Sequence, residues 1–380
     1  MDLVITHPFL IYRDGVSRVI LEIAKKYDPV IYVVRYSKET TFSGFKEFDI
    51  RILPKSKLEK PFLFLRNDAR RYYAAISGIR YLLAKIPDSY DVINAHGTPA
   101  EWIRNKNDRV VWYCHSPNRE AFDLYSYRMS MLPFHKKILN WFLIQCYKIP
   151  EYAIVPKIEK IATNSEVSKE RISKYLGRDD AIVVNPGVDI ERFHNESYEK
   201  YFFYPSRIVP EKRFEFAIEA FKIFHKNFSY FKLIIAGSLQ EEEKSRAYIQ
   251  KLRELAKGYP IEFRINIAEE ELLKLYSNSY AVLFSAINED FGLVPLEAMA
   301  CEKPIIAVNE GGPRYTIING KTGFLVNSPK EMAEKMITLA EDPSMVEKIG
   351  KEGRKLVKEK YTWKNFLSSL GKIFKEVAKV

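Results

Sequence analysis

The sequence predicts an α/β protein made of two doubly wound domains, each built on a parallel sheet. Short apolar runs alternate with helical patterns along the whole chain, the order expected of strand–helix–strand crossovers. The alternation occurs twice, on either side of a polar stretch at 195–200. The chain's 380 residues, 47% of them hydrophobic, exceed what one core usually serves and can fill two. The division is therefore drawn at 197/198, with domains over 1–197 and 198–361 and a last helix over 362–380.

In the first half, strands are expected at 3–6, 30–34, 92–95, 110–113, 161–163 and 182–184. Gly15 follows the first of them and opens a helix carrying Val16, Val19, Ile20 and Ile23 at helical spacing. In the second half, strands are expected at 202–204, 233–236, 261–263, 281–284 and 305–308. The helix after residue 213 shows a core stripe of Phe214, Ala217, Ile218, Phe221 and Phe224. Ligands of open α/β sheets collect beyond the carboxyl ends of the strands, so residues just after the apolar runs are the candidates for chemistry.

Two segments in the second half stand out. Glu289 and Glu297 flank a Phe291-Gly292 turn after the run 281–285. Gly292 permits a tight turn and Pro295 suits the first turn of the following helix, so Glu289 falls on the loop and Glu297 on the helix. The helix N-terminus at Gly292, Leu293 and Val294 offers unpaired N–H groups to a diphosphate. Read alone, Glu297 is a favourable charge in a first helical turn and Glu289 a solvated acid. Upstream, Tyr204-Pro-Ser-Arg-Ile-Val-Pro-Glu-Lys-Arg213 leads from a strand through a proline turn into a helix. Its Arg207 and Lys212 are either plain surface charge or cations for a departing phosphate. In the first half His115 follows the run 110–113, and His7 and His96 also end strands.

These motifs resemble the retaining glycosyltransferases of family 4, which have the GT-B fold. The matching residues are Ser206-Arg-Ile-Val-Pro-Glu-Lys212, Glu289-Asp-Phe-Gly292 with Pro295-Leu-Glu-Ala298, Gly311-Gly-Pro-Arg314 and Lys321-Thr-Gly-Phe-Leu-Val326. Looser matches are Asp14-Gly-Val-Ser-Arg18, Asp91-Val-Ile-Asn-Ala-His96, Trp112-Tyr-Cys-His-Ser-Pro-Asn118 and Asn185-Pro-Gly-Val-Asp189. The resemblance implies two Rossmann-like domains facing across a cleft, the first binding an acceptor and the second a nucleotide sugar. It also implies that the last helix crosses back onto the first domain.

The implied reaction moves a sugar from a nucleotide diphosphate to a hydroxyl of a glycan or lipid-linked acceptor, with retained configuration and without a metal or other cofactor. Arg207 and Lys212 would hold the leaving diphosphate, Glu297 the ribose, and Glu289 with the backbone at Phe291 and Gly292 the sugar hydroxyls. His115 matches a histidine that faces the donor sugar. Gly15 reads equally as a turn glycine or as a close approach to phosphate or acceptor. The runs 112–117 and 311–313 look like those of mannosyltransferases, which favours GDP-mannose; uridine-linked sugars stay open. Tyr315 stands where a glutamate is common, and Arg213 where a glycine is common.

Net charge is +11 with a pI near 9.2, and residues 51–85 hold nine cations against two acids. Phe62, Phe64, Tyr72, Tyr73 and Tyr81 are interleaved with them. That mixture suits an anionic membrane surface, helped by the apolar run 138–144 beside His135-Lys-Lys137, or equally a solvated basic helix. A nucleic-acid-binding scaffold, and an epimerase or phosphorylase on the same fold, are the competing readings; no nucleic acid is expected as a partner. Cys114, Cys146 and Cys301 are widely spaced and odd in number, so reduced thiols and no metal site are expected. The chain passes from Asp2 straight into its first strand, and no run is long enough to span a bilayer. A cytoplasmic protein, peripheral on the membrane, is the expectation.

Overall fold

A computed structural model of the chain describes residues 1–66, 68–87, 89–239 and 242–378. The side chains of Arg70, His135, Glu242, Glu243, Lys244 and Ser245 lie outside the described residues, as do Lys379 and Val380. The chain divides into two units, Met1–Asn185 with Phe366–Val380, and Pro186–Asn365.

The first unit runs β1 (Leu3–Leu10), α1 (Gly15–Tyr27), β2 (Val30–Tyr36), β3 (Ile50–Ile52), α2 (Ala69–Leu83), β4 (Val92–His96), β5 (Val110–Cys114), α3 (Tyr125–Ser130), α4 (Phe134–Ile154), β6 (Lys160–Thr163), α5 (Glu166–Leu176) and β7 (Ile182–Val183). Its seven strands are parallel, in the order β3-β2-β1-β4-β5-β6-β7. The second unit runs β8 (Tyr201–Pro205), α6 (Phe214–His225), β9 (Lys232–Gly237), α7 (Glu242–Ala256), β10 (Ile261–Ile265), α8 (Glu269–Asn278), β11 (Ala281–Phe284), α9 (Leu293–Ala300), β12 (Ile305–Val308), α10 (Pro313–Thr316), β13 (Gly323–Val326), α11 (Pro329–Glu341) and α12 (Pro343–Lys360). Its order is β10-β9-β8-β11-β12-β13, again all parallel.

Each sheet therefore reverses its winding direction beside its first strand, between β1 and β4 and between β8 and β11. Such a reversal splays the two adjoining crossovers apart and leaves a crevice beyond the strand ends. The stripe Phe214, Ala217, Ile218, Phe221 and Phe224 is buried on α6, joined by Ala220, against Phe202, Phe203 and Tyr204 of β8.

Three expectations change. The boundary lies at 185/186 rather than 197/198, because Val188 is in the second core and its N–H bonds the Tyr361 carbonyl at 2.9 Å. The polar stretch itself is tied to the second unit, where Glu196 and Ser197 donate N–H bonds to Ser277. β1 runs to Leu10, past the polar Thr6 and His7, so His7 lies inside a strand and not at its end. Beyond Thr6 it pairs with β2 alone, an edge setting that tolerates Pro8. β3 and β13 were not among the expected strands; β3 is only three residues long, with Arg51 at its centre.

The last helix, α13 (Trp363–Ala378), joins the first unit from Phe366 on. Phe366 meets Tyr113 edge-on at 5.6 Å and Phe374 meets Tyr27 at 5.7 Å. Among the described residues no helix is long and apolar enough to cross a membrane.

Candidate active site

In the second unit the loops after β8 and β11 meet at the winding reversal. Lys212 Nζ donates to Glu289 Oε2 at 2.7 Å, with the lysine side chain 10% and the glutamate 26% exposed. Tyr204, at the end of β8, fixes both loops from below: its hydroxyl accepts the Ser285 N–H at 2.9 Å and donates to the Lys212 carbonyl. A cation and a carboxylate held this way can both meet a ligand.

Two glycines explain the backbone here. Gly292 has φ 83°, in the left-handed region, and starts α9 with no side chain capping it. Gly311 passes so close to Glu289 that a Cβ would lie 2.4 Å from the glutamate carbonyl oxygen, and the Gly312 N–H donates to that same oxygen at 2.7 Å. The Gly-Gly pair thus fixes the backbone of the Glu289 loop. The uncapped first turn of α9 leaves N–H groups and a positive dipole end, the setting that favours phosphate.

Glu297 sits in the second turn of α9, not the first, which removes the plain helix-dipole reading of its charge. The Tyr276 hydroxyl of α8 donates to Glu297 Oε2 at 2.6 Å. Tyr276 is fully buried, wedged edge-on against Phe193 and Phe203 at 5.5 and 5.1 Å. It aims the carboxylate. Sequence reasoning missed Tyr276, whose only signal is a phenol at a core position of α8, where a buried hydroxyl needs a partner. Arg207 is exposed on the same connection as Lys212.

Arg213 occupies the left-handed region at φ 48°, a cost of about 1–2 kcal/mol for a residue with a Cβ. Its guanidinium offsets this through the Ser285 carbonyl at 2.7 Å and Glu310 at 3.0 Å. That strain explains why a glycine is common at this position. Tyr315 is 49% exposed on α10.

In the first unit Gly15 opens α1, where the Asp14 carboxylate accepts from the Ser17 N–H and hydroxyl, both at 2.9 Å. An anion approaching Gly15 meets a like charge, which favours the turn reading of this glycine. His7 within β1, His96 at the end of β4 and His115 just after β5 are brought together. Asn94 donates its amide to the Val111 carbonyl, so its oxygen accepts from His96 Nε2 at 2.6 Å. His96 Nδ1 then accepts from His115 Nε2 at 3.1 Å, and His115 is left with Nδ1 as an acceptor. His7 Nδ1 donates to the His96 carbonyl at 2.9 Å. Burial and the neighbouring imidazole of His7 lower the His115 pKa to about 3, so it is neutral at physiological pH. Burial likewise lowers His7 and His96.

No group of three His, Cys, Asp or Glu among the described residues is placed to hold a metal ion. Cys114 and Cys301 are buried thiols and Cys146 an exposed one, none of them in a disulfide.

The described fold agrees with known proteins along the whole chain. The glycosyltransferase family 4 profile matches residues 13–192 and the group 1 glycosyl transferase profile matches residues 188–356. The chain is 26% identical to the alpha-1,3/1,6-mannosyltransferase ALG2 of Dictyostelium discoideum, covering 99% of this chain and 98% of that protein. It is 35% identical to a probable sucrose-phosphate synthase of Thermosipho melanesiensis over 49% of this chain and 45% of that one. Among solved structures, Anabaena HepE in complex with UDP and glucose superposes with a TM-score of 0.72 at 17% identity, over 98% of both chains. Sucrose-phosphate synthase from Thermosynechococcus elongatus does so with a TM-score of 0.72 at 17% identity, over 99% of both. With two family profiles in tandem over residues 13–356 and a mannosyltransferase relative of matching length, the chain belongs to glycosyltransferase family 4 and has the GT-B fold.

Proposed function

We propose that the protein is a retaining, metal-independent mannosyltransferase that takes mannose from GDP-mannose and passes it to a hydroxyl of a lipid-linked acceptor. The observation that carries the site is the Lys212–Glu289 pair at the uncapped start of α9. Arg207, Lys212 and that helix N-terminus balance the charge that gathers on the departing diphosphate. Glu289 accepts from sugar hydroxyls, the Glu297 carboxylate accepts from the ribose, and neutral His115 accepts from a sugar hydroxyl through Nδ1. The bond from the anomeric carbon to the phosphate oxygen breaks as the acceptor oxygen attacks from the same face. The acceptor's proton passes to the leaving phosphate. No second carboxylate is assigned as a nucleophile, which retaining double displacement would need.

Mannose is favoured by the full-length likeness to ALG2. A uridine-linked donor is the second reading, favoured by the higher identity to the sucrose-phosphate synthase over half the chain.

The acceptor reading draws on a surface of the first unit. Phe134, Ile138, Trp141, Phe142, Ile149 and Tyr152 form one exposed stripe along α4, reaching 77% exposure at Phe134 and 72% at Ile149. Lys136, Lys137 and Lys148 accompany it, and the only acid of the helix, Glu151, is buried. Apolar and cationic with no exposed acid, the face fits an anionic membrane.

The test is to incubate the enzyme with GDP-mannose or UDP-glucose and a lipid-linked saccharide in excess EDTA, and to determine the product's anomeric configuration. Retained α-mannoside formation is the expected result. Transfer from the uridine donor alone would overturn the choice of mannose, and dependence on added metal would overturn the cationic clamp.

A further inference from the structure

The basic segment 51–85 does not use all its cations for folding. Arg80 is spent on a buried pair, donating to Glu59 at 2.9 and 3.0 Å and to the Leu53 carbonyl at 3.2 Å. That pairing holds the Glu59 carboxyl below its usual range. Arg71 pairs with Asp68 and Arg51 with Asp49, each at 2.6 Å. Lys55, Lys57, Lys60 and Arg66 are different. All four are exposed, form no ion pair among the described residues, and line one depression of about 660 Å³ between the 3-10 helix Lys57–Leu65 and α2. That volume falls within the range of small-molecule sites.

Leu63 of the 3-10 helix and Tyr72, Tyr73 and Ile76 of α2 give the depression an apolar side. Leu58 and Phe64, on the same 3-10 helix, are 60% and 65% exposed. The first turn of α2 is tied to the exposed stripe's own helix, α4, through Arg71 and Asn140 at 3.3 Å. Like charges gathered around a cavity repel one another and lower stability unless an anion joins them. Lysine ammonium groups on flexible stems suit phosphate oxygens as point charges. The apolar side calls for a chain attached to that phosphate.

We infer that this depression binds the phosphate or diphosphate group of an amphiphile, and so seats the charged head of a lipid-linked acceptor in the first unit. The inference rests on the lipid-linked acceptor of the proposed function and assigns it a place. It is independent of the Lys212–Glu289 pair and the start of α9, which lie in the other unit.

The experiment uses calorimetric titration of the full chain with three probes: a ten-carbon isoprenyl diphosphate, inorganic pyrophosphate, and vesicles of phosphatidylglycerol. It compares wild type with Lys57→Ser/Lys60→Ser/Arg66→Ser, Leu63→Ser and Lys212→Ala. All four of Lys57, Lys60, Leu63 and Arg66 are exposed, so their replacement leaves the fold intact. The isoprenyl diphosphate should bind wild type, weaken about tenfold or more in the triple variant, and be unchanged in Lys212→Ala. Leu63→Ser should weaken it while leaving pyrophosphate binding as it was. Equal binding by the triple variant, or loss in Lys212→Ala, would overturn the assignment. Binding of vesicles without binding of the soluble amphiphile would overturn it in favour of plain membrane adhesion. A parallel nucleotide titration separates the two claims, because failure of the transferase reading appears there, as absent nucleotide binding, whatever the amphiphile does.

Discussion

In the second unit, the strand ends at the winding reversal bring a cation and a carboxylate within 2.7 Å. In the first unit, the same topological position brings together three imidazoles, all of them held neutral. The sheets share one winding order, so the difference lies in the loops and the residues that end the strands. Charge in the second unit comes from residues with partners already arranged: Glu289 fixed by Gly312, Lys212 by Tyr204, Glu297 by Tyr276. Neutrality in the first comes from burial and from an asparagine that dictates the proton positions of two histidines. A diphosphate demands the first kind of site, and hydroxyl groups of sugars are served by the second.

Three substitutions sharpen or break this contrast. The largest effect belongs to Lys212→Ala, which should lower the transfer rate by about 10²–10³, the usual cost of removing one charge-stabilising donor. A rate within a few-fold of wild type, measured with an identified donor, would remove the charged pair from the mechanism. A smaller effect is expected from Tyr276→Phe, which frees Glu297 to rotate. Donor KM should rise about tenfold, with kcat little changed, because a bond to a charged group is lost on the binding side. A fall in kcat at unchanged KM would instead place Glu297 on the reacting atoms.

The smallest is a stability effect in the first unit. Glu101 and Glu151 are both fully buried near one another, and Glu151 accepts from Trp102 at 2.7 Å. Burial, and for Glu101 the nearby Glu151, raises both carboxyl pKa values, that of Glu101 strongly. The folded chain therefore holds protons that the unfolded chain has released. Stability from this pair is complete below the ordinary carboxylate value near 4.5 and is lost as pH rises through the raised folded values. Glu151→Gln keeps an acceptor for Trp102 and removes one of the charges. Its Tm should fall less between pH 6 and pH 9 than that of wild type. An equal fall in both would mean that the pair does not titrate in this range.

Much of the second unit was legible in the sequence, because its function is concentrated in short segments. The strand run 281–284, the glycine at 292 and the helix with Pro295 specify a strand–turn–helix by local rules, and Glu289 and Glu297 come with it. Tyr276 was not legible, since nothing local separates a core tyrosine from one that bonds a carboxylate 21 residues on. Nor was the strain at Arg213, which follows from backbone geometry rather than side-chain type. In the first unit His96 and His115 were visible at strand ends while His7 lies within β1, and the mutual contacts span 89 residues, from His7 to His96, and depend on sheet order. The domain boundary was misplaced because polarity was read as exposure, whereas Glu196 and Ser197 are tied by their backbone to α8.

The most direct measurement is a calorimetric titration of GDP and UDP, with EDTA present, into wild type, Glu297→Ala and Lys212→Ala. The account predicts that wild type binds one nucleotide in preference to the other, and that each substitution weakens it about tenfold or more while the melting temperature stays near that of wild type. Binding of equal strength in all three proteins would contradict it, as would binding by wild type only after a divalent metal is restored.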